Sequence, residues 1–337
     1  MVDDIPDLDK QTRWGEVPVT LAVCGGSGFI GRRLLSALPN DPAMRVRLLV
    51  HRRDVGTGAV PSSVGLVPGD LMQRDSLDTL VAGASLLINL AYMPDASRDA
   101  QLSAAANLAQ ACATAGVRRL VHLSTAAVVG HAPDDVVTES TRVEPRTAYE
   151  RTKLEIEQIL IERAASAFEL IILRPTAVFG PEGRNLVKLA TSLSHDSAAE
   201  NYVRACIHGR RKMNLVCVDN VVAAIVFAMK VGMASGSETF IVSDDDDSAN
   251  NYRDVESMLR RALGCGEYAF APAAVPSRVL RTLLRWSGRS NSNPNRVYSG
   301  AKIAAAGFHK VVSLDAGLAL FGDWFRQAHA KAVDAIG

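Results

Sequence analysis

Apolar residues along the chain gather in short runs separated by longer stretches of helical spacing. Val17 to Cys24 is a partly β-branched apolar run entered at Pro18, and it predicts a first strand. Arg32 to Leu38 has helical spacing and stops at Pro39. Further strands are predicted over Arg45–Val50, Val64–Val67, Ser85–Leu90, Val117–Leu123 and Leu170–Leu173. Gln101 to Gly116 predicts an alanine-rich helix with a glycine stop. The helix opening at Tyr149 carries Leu154, Ile156, Ile159 and Leu160 at helical spacing. Strands alternating with helices of this size predict an α/β fold with a doubly wound parallel sheet. Between them, Val128–Glu144 reads as a polar loop.

Past residue 181 the pattern loosens. Glu182–His208 is mixed and less regular. A short apolar run at Leu215–Val218 leads into a helix over Asp219–Lys230, and Thr239–Val242 predicts another strand. Asp244–Asp247 reads as a solvated turn, because no oxygen-ligand loop surrounds it. Helices are expected over Tyr252–Leu263, over the basic amphipathic stretch Pro272–Trp286, and over Leu314–Ala330. The expected layout is a tail over 1–16, a nucleotide-binding domain over 17–180 plus 215–243, and a smaller mixed substrate lobe over 181–214 plus 244–337.

Composition narrows the classes of function. A chain of 337 residues can bury a substantial core, and a net charge of +1 gives no reason to expect nucleic acid or an anionic membrane as partner. The five cysteines form no CxxC, and none lies at metal-ligand spacing from a histidine, so no metal is expected. They read as buried or incidental thiols of a reducing compartment. Met1–Glu16 lacks the features of a signal peptide, and no apolar run is long enough to span a membrane. A cytoplasmic enzyme is the expectation.

The candidate chemistry lies at the ends of the predicted strands. Gly25-Gly26-Ser27-Gly28-Phe29-Ile30-Gly31 joins the first strand to the first helix. Gly25 suits a tight turn, Gly28 a close backbone approach to a pyrophosphate, and Gly31 close packing of helix on strand. The helix N-terminus would then face the phosphates. After the second strand come His51-Arg52-Arg53-Asp54. Arg52 and Arg53 suit a 2′-phosphate, so NADP is expected, while Asp54 leaves NAD open. Asp70 either accepts a bond from the adenine or caps the helix that starts near Arg74. Ala91 lets backbone lie against the cofactor, and Thr125 ends the fifth strand. In a doubly wound sheet all of these fall on the ligand-binding edge. Tyr149 and Lys153 lie four residues apart and so share a helix face, although ordinary surface helices also carry such pairs. An ammonium nearby favours the phenolate of a tyrosine whose unperturbed pKa is about 10, which suits proton transfer to or from a carbonyl or alcohol oxygen.

Taken in order, these motifs, with Gly69-Asp70-Leu71, Asn89-Leu90-Ala91, Ser124-Thr125, Arg174-Pro175 and Val218-Asp219-Asn220-Val221, resemble the extended short-chain dehydrogenase/reductase family of nucleotide-sugar epimerases and dehydratases. The resemblance implies a Rossmann fold. It implies Thr125 as the hydroxyl on the substrate oxygen, Tyr149 as acid/base, and Lys153 as its tuner and ribose ligand. It places Gly25, Gly28, Phe29, Ile30, Gly31, Arg52, Arg53, Asp70, Leu71, Leu90, Ala91, Tyr149, Lys153 and Pro175 at the cofactor. Thr125, Tyr149, Asn185 and Arg211 are expected at the substrate. The tail from Val312 to Trp324, Asn214–Val222 and Thr239–Asp244 are most similar to reductases of UDP-4-keto-6-deoxy-HexNAc sugars in surface-polysaccharide pathways. A homodimer through the helices near Gln101–Gly116 and Tyr149–Arg163 is also implied. Three departures stand out: Glu150 and Thr152 within the Tyr-x-x-x-Lys segment, expected to alter the helix surface; Val129 where a tyrosine is usual; and the displaced basic cluster Arg210-Arg211-Lys212. Ala126 and Ala127 follow Thr125 where dehydratases carry an acid pair, which argues against dehydration. An NAD-dependent 4-epimerase and a non-catalytic NADP-binding sensor are the rival readings, with a steroid-type or flavonoid-type carbonyl reductase on the same scaffold.

Overall fold

The computed structural model describes residues 19–39, 41–51, 64–132, 134–165, 167–233, 236–273, 275 and 293–334. The predicted tail, Arg52, Arg53, Asp54 and most of the Pro272–Trp286 helix lie outside the described residues. In chain order the elements are β1 (Val19–Cys24), α1 (Phe29–Ala37), β2 (Met44–Val50), β3 (Val64–Pro68), α2 (Arg74–Val81), β4 (Leu86–Asn89), α3 (Arg98–Ala115), β5 (Arg119–Leu123), β6 (Val136–Val137), α4 (Ala148–Ala164), β7 (Glu169–Pro175) and β8 (Ala177–Phe179). There follow α5 (Val187–His195), α6 (Ala198–His208), β9 (Leu215–Cys217), α7 (Val218–Lys230), β10 (Ser237–Val242), α8 (Tyr252–Leu263), β11 (Val297–Tyr298), α9 (Ala301–Ala305) and α10 (Leu314–Asp334).

The seven-stranded sheet has the order β3-β2-β1-β4-β5-β7-β10. β1 pairs in parallel with both β2 and β4, and the parallel ladder continues from β4 to β5 to β7. The chain therefore runs outward to one edge through β2 and β3, then jumps back to the other side of β1 at β4. That reversal opens a crevice at the carboxyl ends of β1 and β4. The central strands read as almost unbroken apolar runs because helices cover both faces.

The chain divides into two compact units. The first holds the chain up to Thr125, Ala148–Arg174 and Val222–Phe240. Its core joins Ala22, Leu77, Leu80 and Leu87 to Leu108, Ile156, Leu160 and Ile172. The second holds Ala126–Thr147, Pro175–Val221 and the chain from Ile241 on. One of its cores is built from Phe179, Leu193, Leu215, Val255, Leu318, Phe321 and Phe325. Another joins Ala126, Val129, Ala132, Val137, Ile241 and Tyr298.

Three expectations are corrected here. The supposed polar loop Val128–Glu144 supplies buried residues to that last core and contributes β6, which pairs with β11. Its charged tip hides an apolar floor. The irregular stretch after Glu182 contains α5 and α6, and the second opens with a full capping box between Ser197 and Glu200. The acidic run is not a solvated turn, since Asp244 and Asp245 are only 2% and 4% exposed. Asp244 accepts from the Cys217 amide and from Asn220, while Asp245 accepts from Asn214, Asn250 and the Tyr298 amide. Buried carboxylates persist because each is met by several donors.

Candidate active site

β1 ends in a turn whose geometry requires glycine. Gly25 has φ +79°, and a Cβ there would stand 2.6 Å from the Ala91 nitrogen. A Cβ on Gly31 would stand 2.3 Å from the Gly25 carbonyl oxygen, so helix and turn touch backbone to backbone. Gly28 is the N-cap of α1; it has no side-chain cap and no acid follows in the first turn. The first N–H groups of that helix are thus left for an outside acceptor, and the dipole favours an anion there. Beside this turn lies a crevice of about 530 Å³ lined by Gly25, Gly28, Asp70, Leu71, Leu90 and Ala91, among others. Six residues assigned to a cofactor from sequence thus share one wall system. Phe29 and Ile30 open α1, and Gly31 is buried beneath the turn. A dinucleotide's pyrophosphate fits the shape and the charge preference of this cradle.

At the end of β2 the described residue is His51, which lines the same crevice with its Nδ1 3.6 Å from the Asp70 carboxylate. Asp70 does not cap the following helix, whose N-cap is Gln73. Instead its Oδ1 accepts from the Met72 amide at 2.9 Å, which leaves the carboxylate facing the crevice.

The first unit also brings together Thr125, Tyr149 and Lys153. The Tyr149 phenol and the Thr125 hydroxyl share a hydrogen bond. Lys153, one helical turn on, is 4% exposed. Burial pushes its ammonium down to about 8, with Glu157 pulling the other way. The phenol differs from the expectation. Loss of water raises the Tyr149 pKa, the Thr125 bond opposes that, and Tyr92 adds to the rise. The lowering expected from Lys153 does not emerge; its Nζ lies 4.6 Å from the centroid of another ring, Tyr92. Tyr92 in turn meets Tyr149 edge-on, with centroids 5.4 Å apart and planes at 87°.

Sequence reasoning gave no role in the site to four residues of this cluster. Tyr92 follows the recognised Ala91. Asn89 and His122 sit at the ends of β4 and β5. The Asn89 oxygen accepts from the Ala91 amide, so its nitrogen faces His122 Nδ1 at 3.2 Å. That network assigns the ring proton to Nε2, which is buried with no partner among the described residues. Burial, with Lys153 second, holds the His122 pKa down to about 3, so the ring is neutral. Glu157, at 1% exposure, receives Arg174 through two bonds of 3.1 and 2.5 Å. The Arg174-Pro175 motif was a signal for that clamp, but its partner lay in the middle of α4. Glu150 and Thr152 are buried rather than part of the helix surface.

The remaining candidates belong to the second unit. Pro175 closes β7 and is buried. Asn185 is exposed and donates to the Val178 carbonyl at 2.7 Å. Arg211 bonds through its backbone, to the His208 carbonyl and from the Tyr252 amide. Val129 is buried in its unit's core. Among the described residues no group of acids, histidines and cysteines could hold a metal ion, and no helix is long and apolar enough to cross a membrane.

Comparison with known proteins adds to this geometry. Residues 21–242 match the model of the NAD dependent epimerase/dehydratase family. A ketoreductase of 4-hydroxy-2-methyl-3-oxo-4-farnesyl-3,4-dihydroquinoline-1-oxide from Stigmatella aurantiaca is 26% identical over 66% of this chain and 67% of its own. An N-acetyl-alpha-D-glucosaminyl-diphospho-ditrans,octacis-undecaprenol 4-epimerase from Escherichia coli is 26% identical over 71% of this chain and 72% of its own. Among solved structures, a UDP-glucuronic acid 4-epimerase from Bacillus cereus in complex with NAD superposes with a TM-score of 0.69 at 19% identity. That match covers 93% of this chain and 98% of the other.

Proposed function

Because the chain belongs to the NAD dependent epimerase/dehydratase family, enzymes of the short-chain dehydrogenase/reductase type, we propose that it reduces the keto group of a UDP-linked 4-keto sugar with NADPH, in surface-polysaccharide synthesis. The observation that carries this reading is the hydrogen-bonded Thr125–Tyr149 pair with Lys153 one turn below. A bound dinucleotide supplies the hydride. Thr125 holds the substrate oxygen, and Tyr149 gives it a proton as the alcohol forms. A phenol whose pKa is raised stays protonated at neutral pH, which suits a donor awaiting an alkoxide. Lys153 returns positive charge to the pair as the proton leaves.

NADP is the preferred cofactor in this reading. Arg52 and Arg53, which follow His51 in the sequence, suit a 2′-phosphate, while Asp54 behind them is the acid that would serve NAD. Asn185 and Arg211 are our candidates for substrate contact, and a homodimer through α3 and α4 completes the proposal. The competing reading is a 4-epimerase with tightly held NAD. It is favoured by the Escherichia coli relative, itself a 4-epimerase of a sugar carried on a lipid diphosphate. Dehydration is disfavoured because Ala126 and Ala127 have no ionisable side chain.

The test is turnover of a UDP-4-keto-6-deoxy-HexNAc with NADPH, followed as loss of nicotinamide absorbance, beside an apolar cyclic ketone of the kind the Stigmatella relative reduces. Tyr149→Phe is expected to lower kcat by at least about 100-fold, the scale of a lost general acid, while leaving NADPH affinity unchanged. Full activity of that variant rejects the assignment. Purified protein that carries NAD and consumes no free NADPH supports the epimerase instead.

A further inference from the structure

Tyr92 directly follows Ala91, whose backbone abuts the Gly25 turn, and lines the crevice beside it. Its ring is placed between the two members of the proton-transferring pair. The face lies 4.6 Å from the Lys153 ammonium, inside the range in which a cation is drawn to a ring's quadrupole. The ring also contacts Tyr149 edge to face. Lys153 is buried, and its ammonium meets the Tyr92 ring face. The groups that face it are Tyr92 from the loop after β4, His122 from β5, and Glu157 along its own helix. His122 is neutral, and the Glu157 carboxylate is already taken by both prongs of Arg174. The aromatic ring therefore adds to the stabilisation of the charge that Glu157 gives through space.

We infer that Tyr92 is a positioning residue of the active site: its ring face holds the Lys153 ammonium below Tyr149 and sets the pH up to which that lysine keeps its proton. The inference rests on the proton-transfer reading above for its purpose, though not for its measurement. A buried ammonium pays for lost hydration and needs a compensating partner. Here a ring supplies part of that compensation, beside the Coulomb pull of Glu157. A ring offers attraction without accepting the proton, so the ammonium stays free to turn toward a ribose hydroxyl or toward the phenol.

The test is a carbon-NMR titration of lysine Cε in the full chain, with the Lys153 signal assigned by its loss in Lys153→Met. Tyr92→Phe keeps the quadrupole and is expected to titrate with the wild type. Tyr92→Leu removes it and is expected to lower the midpoint by about one pH unit, the shift equivalent to a desolvated cation–π contact. The direction follows because removing a stabiliser of the charged form lets the proton leave at lower pH. Should the leucine variant fold poorly, Tyr92→Phe carrying one, two or three ring fluorines weakens the quadrupole with little change of shape; the midpoint should fall in that order. A leucine midpoint equal to wild type, a phenylalanine shift as large as leucine's, or no trend with fluorination would overturn the inference. No substrate is needed, so failure of the Tyr149→Phe turnover test leaves this result standing, and the reverse also holds.

Discussion

At the residue scale, the active-site cluster is a set of ionisable groups kept in unfavourable states by their surroundings. Lys153 shows this most plainly. Its fall from an ordinary 10.5 to about 8 corresponds to roughly 3 kcal/mol of preference for the neutral form. Below pH 8 both folded and unfolded chains hold the proton, and the folded state bears the full cost. Between 8 and 10.5 the unfolded chain binds the extra proton, so stability rises with pH across that window. Lys153→Met should therefore raise the unfolding free energy at pH 7 by roughly 2–3 kcal/mol while abolishing turnover, and the gain should vanish above about pH 10.5. Denaturant titrations at both pH values check it. Stability unchanged at pH 7 would mean that Tyr92 and Glu157 already offset the burial in full.

At the element scale, α4 is pinned by its Glu157–Arg174 pair as much as by its apolar face. Arg174 reaches from β7 to the middle of α4 and closes both prongs on a carboxylate with almost no water around it. Breaking such a pair strands a charge. Glu157→Gln is expected to cost about 3–5 kcal/mol, whereas Glu157→Leu with Arg174→Met together should cost much less, because two desolvation penalties disappear at once. A double-mutant cycle on unfolding free energies measures the difference. Equal losses in single and double variants would reduce the pair to packing. The helix also shows why one motif was visible and its support was not. Tyr149 and Lys153 carry a spacing that can be read from the chain, but Glu157 is one of many glutamates until β7 arrives beside it.

At the scale of the whole molecule, buried titrating groups set opposing slopes of stability with pH. His122 has a folded pKa of about 3, below its ordinary 6.5, so its stabilisation is lost as pH falls from 6.5 toward 3. Asp245 is raised by burial from 3.8 to about 6, so its contribution is lost as pH rises from 3.8 through 6. Between about pH 4 and 6 the two nearly cancel. His122→Phe should unmask a decline in stability with rising pH of up to about 1.4 kcal/mol per unit in that range, and adding Asp245→Asn should flatten it. Thermal unfolding in a buffer series reads this directly. A His122→Phe profile parallel to wild type would contradict the neutral buried imidazole.

The order of strands and helices up to β5, the Gly25–Gly31 turn, and the Tyr149–Lys153 spacing were legible in the sequence because each depends on neighbours close along the chain. Periodicity, a glycine that must adopt positive φ, and one helical turn are local constraints, and local constraints leave local marks. The placement of Tyr92 over Lys153, the tautomer of His122, the burial of Asp244 and Asp245, and the strand hidden in a polar loop were decided by tertiary structure alone. Each results from contacts with, or desolvation by, segments tens of residues away, and a side chain's own sequence neighbourhood does not say what it will meet or how much water it will keep.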